Sequence, residues 1–159
     1  MNKLGSVFIV AAILLATVSL SFYRGDNLNF NSKAEQDTLH NYQDGDYSGQ
    51  SRSMYIDEPY WGSIRFTLKN GQYTGISFII RDSSLHEKFD SIYEKHFQGN
   101  DLYIQQCRND WKGVQTYPKI LIEIQDISKV DATTGATWSY NIFKASVKDA
   151  LTKAVKDCQ

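Results

Sequence analysis

Apolar and polar residues alternate most regularly in the middle of the chain. Ile64, Phe66 and Leu68 alternate with Ser63, Arg65 and Thr67, and Ile76, Phe78 and Ile80 enclose Ser77 and Ile79. Between the two runs stands Asn70-Gly71. A period of two marks half-buried strands, and Asn-Gly suits the left-handed positions of a tight turn, so an antiparallel hairpin is predicted. Ahead of it, Asp44-Gly45-Asp46-Tyr47-Ser48-Gly49 reads as a turn-rich opening into another short strand. Behind it, Ser84 and Glu87 have the spacing of a capping box, and Leu85, Phe89, Ile92, Tyr93 and His96 recur at helical intervals. That pattern predicts a helix running through Phe97.

From Asn100 to Gly113 the pattern is mixed, with room for a helical turn or two around Tyr103 to Cys107. Pro118 opens Lys119-Ile120-Leu121-Ile122-Glu123-Ile124, whose alternation fits a strand, while proline at a first helical position fits a helix. Periodicity does not choose between them. The last element is an amphipathic helix from Ser139 to Val155, with Phe143, Val147, Ala150, Leu151 and Ala154 on one face. The fold class that follows is α+β: an antiparallel sheet with flanking helices, preceded by an N-terminal signal or anchor helix.

The N-terminal segment changes the picture of where this domain works. One lysine precedes an uninterrupted apolar run from Val7 to Leu20, the form of an export signal. Ser19 and Ser21 offer a small-x-small cleavage pattern, whereas Ser21, Phe22 and Tyr23 would extend the run toward an uncleaved membrane anchor, the reading we favour. The expected division is a signal or anchor over residues 1–24, a polar linker over 25–41 and one domain over 42–159, placed in the periplasm or outside the cell membrane. Cys107 and Cys158 would then stand where a disulfide persists, and they read equally as a bridge or as two unrelated thiols.

Charge is nearly balanced, at −1 overall with no basic run, so a nucleic-acid partner is not expected. No Cys-x-x-Cys occurs and His86-Glu87 has no second histidine at helical spacing, so no metal site is predicted. The aromatic share of 13% suits either a β-rich core or a surface for a flat ligand.

The segment that carries chemistry is Asp131-Ala132-Thr133-Thr134-Gly135-Ala136-Thr137-Trp138-Ser139. It is a hydroxyl-rich loop of small residues placed before a helix N-terminus, where free N–H groups and the helix dipole attract a phosphate. A plain helix cap, with Thr137 or Ser139 as the capping residue, is the commoner use of such a segment.

Asp-x-x-Thr-Gly-Ala-Thr at Asp131 to Thr137 resembles the flavinylation motif of the FMN-binding domain family, found in Rnf complexes and in sodium-translocating NADH:quinone reductase. Asp44 to Gly49, Tyr60-Trp61-Gly62 and the Asn70-Gly71 hairpin resemble the family's opening, so the likeness spans residues 42 to 156. It implies FMN joined by a phosphoester to Thr137, placed there by a separate flavin transferase that takes FMN from FAD. Asp131 matches the acid of the motif, Gly135 and Ala136 would let the loop enter the transferase, and Thr134 and Ser139 would add supporting contacts. Tyr60, Trp61 and Trp138, with Gly62 beside them, are by position the candidates for contact with the flavin, and the three aromatics read equally as core or rim residues. Ser83 to Glu87 departs from the family's Glu-Thr-Pro-Gly wording, so His86 and Glu87 receive no flavin role. The implied function is an electron carrier with no catalytic residue of its own, served by a membrane or extracytoplasmic redox partner. The alternative is a membrane-anchored module that holds flavin or another planar ligand without a covalent bond.

Overall fold

The computed structural model describes residues 41–155. The expected signal or anchor, nearly all of the linker, and Cys158 lie outside the described residues. Four antiparallel strands in sequential order form one sheet: β1 (Gly45–Arg52), β2 (Tyr60–Lys69), β3 (Gln72–Asp82) and the short β4 (Glu87–Lys88). Two helices follow, α1 (Asp101–Ile124) and α2 (Thr137–Thr152), giving the α+β class that the pattern predicted.

The central hairpin is as expected. Asn70 and Gly71 both adopt positive φ, at 53° and 67°, the conformation that a two-residue hairpin turn requires. Ile64 faces Phe78 and Phe66 faces Ile76 on the buried side, while Arg65 faces Ser77 and Trp61 faces Arg81 on the other. Both helices pack on the buried side. Gly49 and Gly62 let α2 approach, because a Cβ on Gly49 would lie 2.1 Å from the Ser146 carbonyl oxygen and one on Gly62 would lie 2.3 Å from Ile142 Cγ2.

The free edges of the sheet are protected by side chains from the helices. On β1, Asp149 accepts the Gln50 N–H at 2.9 Å and Lys153 Nζ donates to the Ser48 carbonyl at 2.8 Å. On β3, the Gln125 amide makes a two-way pair with the Tyr73 backbone, at 2.7 and 3.0 Å. Such contacts satisfy backbone groups that would otherwise invite another strand.

Two expectations are corrected. Residues 84–97 are not one helix: Asp82 accepts the Ser84 and Leu85 N–H groups in a turn, β4 follows, and only Tyr93–Phe97 coils, as a 3-10 helix. Ser84 therefore caps nothing, and Glu87 instead meets Lys95 and His96 at 2.9 Å each. The mixed stretch from residue 100 and the unresolved one from Pro118 are a single helix of 24 residues, with Pro118 in its interior. Its buried stripe, Cys107, Asp110, Val114, Tyr117 and Leu121, keeps helical spacing, but a carboxylate and the intervening Gly113 at packed positions disguise it. Within Ile120 to Ile124 only Leu121 is buried, so the alternation there marks no strand.

Because Gly49 meets backbone and Gly75 meets nothing within 4 Å, the two should respond differently to the same change. We expect Gly49→Ala to destabilise the domain by about 3 kcal/mol and Gly75→Ala to stay within about 0.5 kcal/mol, as read from urea unfolding midpoints.

Candidate functional site

The loop ahead of α2 is built on α1. Helix spacing puts Gln106, Asp110, Gly113 and Tyr117 along one stripe of α1, and each contributes to holding this segment. Gln106 Nε2 donates to the Gly135 carbonyl at 2.9 Å, and Tyr117 Oη donates to the Ala136 carbonyl at 2.8 Å while accepting the Thr133 N–H at 3.1 Å. Gly113 makes room, since a Cβ there would come within 2.7 Å of Ser139 Oγ and 2.9 Å of Ala136 Cβ. Gly135 turns the chain with φ 75°.

Neither Thr137 nor Ser139 is the cap. The N-cap position is held by Ala136, which offers no side-chain acceptor, and Thr137 is the first helical residue. Capping comes from the neighbouring helix instead. Asp110 Oδ1 accepts both the Ser139 N–H at 3.0 Å and the Ser139 hydroxyl at 2.8 Å, and Gln106 donates to Oδ2. Asp110 is 2% exposed, and its burial raises the carboxyl pKa above the ordinary aspartate value despite these hydrogen bonds.

This arrangement leaves the N–H groups of Thr137 and Trp138 without a partner among the described residues. They lie at the positive end of a helix of 16 residues, beside the exposed side of Thr137. Asp131, Thr134 and Gly135 are also exposed, whereas Ala136 and Ser139 are buried.

Trp138, the next residue, lines a cleft of about 530 Å³. Its walls are aromatic: Tyr60 meets Trp138 edge-on at 5.0 Å between centroids, Phe89 meets it at 5.2 Å, and Phe97 and Tyr103 stack at 5.5 Å. Glu58 fixes the indole by accepting its Nε1–H at 2.7 Å and also receives the Ser53 hydroxyl. Cys107 reaches the cleft as a thiol whose pKa burial pushes up to about 11, which keeps it protonated. A hollow of the same size on the outer face of the sheet is lined by Ser48, Gln50, Ser63, Arg65 and Arg81 and has no aromatic wall.

Tyr60 and Trp138 are thus brought together, and Trp61 is not. Strand alternation turns Trp61 to the outer face, 40% exposed, with the Arg52 guanidinium 5.3 Å from its ring centroid. Gly62 is buried under α2 and touches the cleft nowhere. The residues that sequence reasoning passed over are Glu58, Gln106, Asp110 and Tyr117. The 106, 110, 113, 117 spacing on α1 was the signal that could have found three of them.

The arrangement fits FMN on its own terms. Two helix N–H groups, a hydroxyl and a small-residue turn suit a phosphate, and the adjoining aromatic cleft is of a size that holds a planar ring system. Comparison with known proteins agrees. A family model described as the FMN-binding domain matches residues 59–152. A crystal structure of a protein from Clostridium perfringens has a similar fold, with a TM-score of 0.50 and 24% identity over 71% of this chain and 88% of that one. A search of curated proteins gives no match.

Asp110 yields a prediction with a sign. A carboxyl with a raised pKa in the folded state binds its proton more tightly there, so this contribution to stability is lost as pH rises from the ordinary value, about 4, through the raised one. Urea unfolding at a series of pH values should show that decline in the wild type and its absence in Asp110→Asn. Asp110→Ala, which strands the Ser139 N–H, should lose about 1–3 kcal/mol at neutral pH.

Proposed function

The chain belongs to the FMN-binding domain family, whose cofactor is FMN, and on that premise we propose that it is an extracytoplasmic electron carrier with FMN bound through a phosphoester to Thr137. The observation that supports this most is the start of α2, where an exposed threonine stands beside two N–H groups without a partner among the described residues and an aromatic cleft opens at the next residue. FMN supplies one-electron and two-electron chemistry when bound. The residues of this chain hold it, exclude water from it and present it to a partner.

Attachment needs another protein. The Thr137 alcohol is a weak nucleophile and its loop offers no adjacent histidine to serve as its base, so we assign the step to a flavin transferase. In it the Thr137 oxygen attacks the FMN phosphorus of FAD, the pyrophosphate bond breaks, AMP leaves, and the hydroxyl proton passes to the transferase. The exposed Asp131, Thr134 and Gly135 form the surface the transferase would read, while Ala136 and Ser139 stay anchored to α1. Once made, the ester keeps the cofactor with the protein outside the cytoplasm. Tyr60 and Trp138 form the wall for the ring, and Glu58 keeps the indole oriented. Membrane tethering through the N-terminal segment would keep this carrier near a membrane or extracytoplasmic redox partner.

The experiment is in-gel flavin fluorescence after full denaturation, with protein exported from a host that expresses a flavin transferase. Wild type should retain fluorescence, Thr137→Ser should keep it in part, and Thr137→Val should lose it. A colourless wild-type band, beside a control substrate labelled in the same cells, would contradict the covalent assignment and favour a noncovalent flavin module.

A further inference from the structure

From Tyr60, which lines the cleft, a line of hydroxyl and carboxylate oxygens runs inward to Asp82. Tyr60 Oη lies 3.1 Å from Tyr93 Oη, and Tyr93 Oη lies 2.5 Å from Asp82 Oδ2. Asp82 is 3% exposed, and its other oxygen accepts the Ser84 and Leu85 N–H groups at 2.7 and 3.0 Å. Burial opposes the charge on Asp82, but the hydrogen bonds from Tyr93, Leu85 and Ser84 outweigh it and hold the carboxyl below its ordinary pKa. At neutral pH Asp82 is therefore an acceptor only. Tyr93, with one proton, must give it to Asp82, since two oxygens at that distance without a proton between them would repel. The Tyr93 oxygen is then left to receive the proton of Tyr60.

Each phenol has a single proton, so while Tyr60 donates to Tyr93 it brings none of its own to the cleft it lines. Only its lone pairs remain for a ligand. In the oxidised isoalloxazine ring, the carbonyl oxygens and unprotonated ring nitrogens accept hydrogen bonds, and the imide N3–H is the one N–H donor. We infer that Tyr60 receives the N3–H of the flavin, fixed as an acceptor by Tyr93 and Asp82 acting as positioning residues. This rests on the reading that the ring occupies this cleft. The chain selects the edge of the ring as well as its face: a pose with a flavin carbonyl toward Tyr60 would set acceptor against acceptor.

The test uses flavinylated protein carrying FMN enriched in nitrogen-15 at N3, followed by proton–nitrogen NMR. In wild type the N3–H signal should be shifted downfield from that of FMN in water, and its exchange with solvent slowed. Tyr60→Phe keeps the ring wall and should speed that exchange about tenfold, the factor one ordinary hydrogen bond is worth. Tyr93→Phe leaves the cleft wall intact but frees the Tyr60 proton, and should give an intermediate rate. A purely structural role for the chain would leave the signal unmoved in both. An unchanged N3–H in Tyr60→Phe, with flavin retained and circular dichroism as in wild type, would overturn the inference; an unchanged one in Tyr93→Phe would overturn the polarity of the line. Should Tyr93→Phe fail to fold, Tyr60→Phe decides alone. Loss of the covalent bond in wild type would contradict the Thr137 assignment only, because the same signal is then read in the noncovalent FMN complex.

Discussion

The start of α2 is capped by a buried carboxylate from α1, and the candidate site takes its form from that contact. Asp110 satisfies Ser139, whose N–H is the third of the helix, while the first two N–H groups have no partner among the described residues. A serine or aspartate at the Ala136 position would have accepted the Trp138 or Ser139 N–H locally and left Asp110 without that role. Capping from a distance needs the two helices in close approach, which Gly113 permits. Gln106 and Tyr117, above and below Asp110 on the same stripe, then hold the carbonyls of Gly135 and Ala136. Ordering of the loop is thereby placed on a rigid helix, while its exposed side stays accessible.

The aromatic cleft depends on a second constraint, the alternation of β2. Tyr60 and Trp61 are neighbours in sequence yet occupy opposite faces of the sheet. Tyr60 joins Trp138, Phe89 and Tyr93 in one cluster, and the buried Asp82 secures that cluster to the end of β3. Trp61 instead joins Arg52 and Arg81 on the uncovered face. The loop before α2 and the β2 end of the sheet meet only through the fold, with Glu58 and Trp138 linked across 80 positions.

What could be read in the sequence follows from how local each determinant is. The hairpin was legible because Asn70-Gly71 and the alternating runs act within a few residues, and α2 because Phe143, Val147, Ala150 and Leu151 keep the helical period although Ser139 and Ser146 are buried among them. The loop at Asp131 to Thr137 was legible as a phosphate-seeking segment, and by resemblance as a flavin site. The length of α1 was not, since Asp110 and Gly113 occupy packed positions for reasons that lie on α2, and Pro118 sits inside a helix where a boundary is the ordinary expectation. Ser84 and Glu87 mimicked a cap because spacing alone does not reveal that Asp82 takes the neighbouring N–H groups. Tertiary contacts decided each of these cases, and local pattern carries little of them.

The central claim is that FMN is esterified to Thr137 with its ring beside Trp138. Mass spectrometry of the peptide containing Thr137, from protein exported alongside a flavin transferase, addresses it most directly. The account predicts a gain equal to FMN less one water, with fragmentation locating it on Thr137 and not on Thr133 or Thr134. An unmodified peptide from a preparation that is yellow before denaturation, or a modification located on another residue, would contradict it.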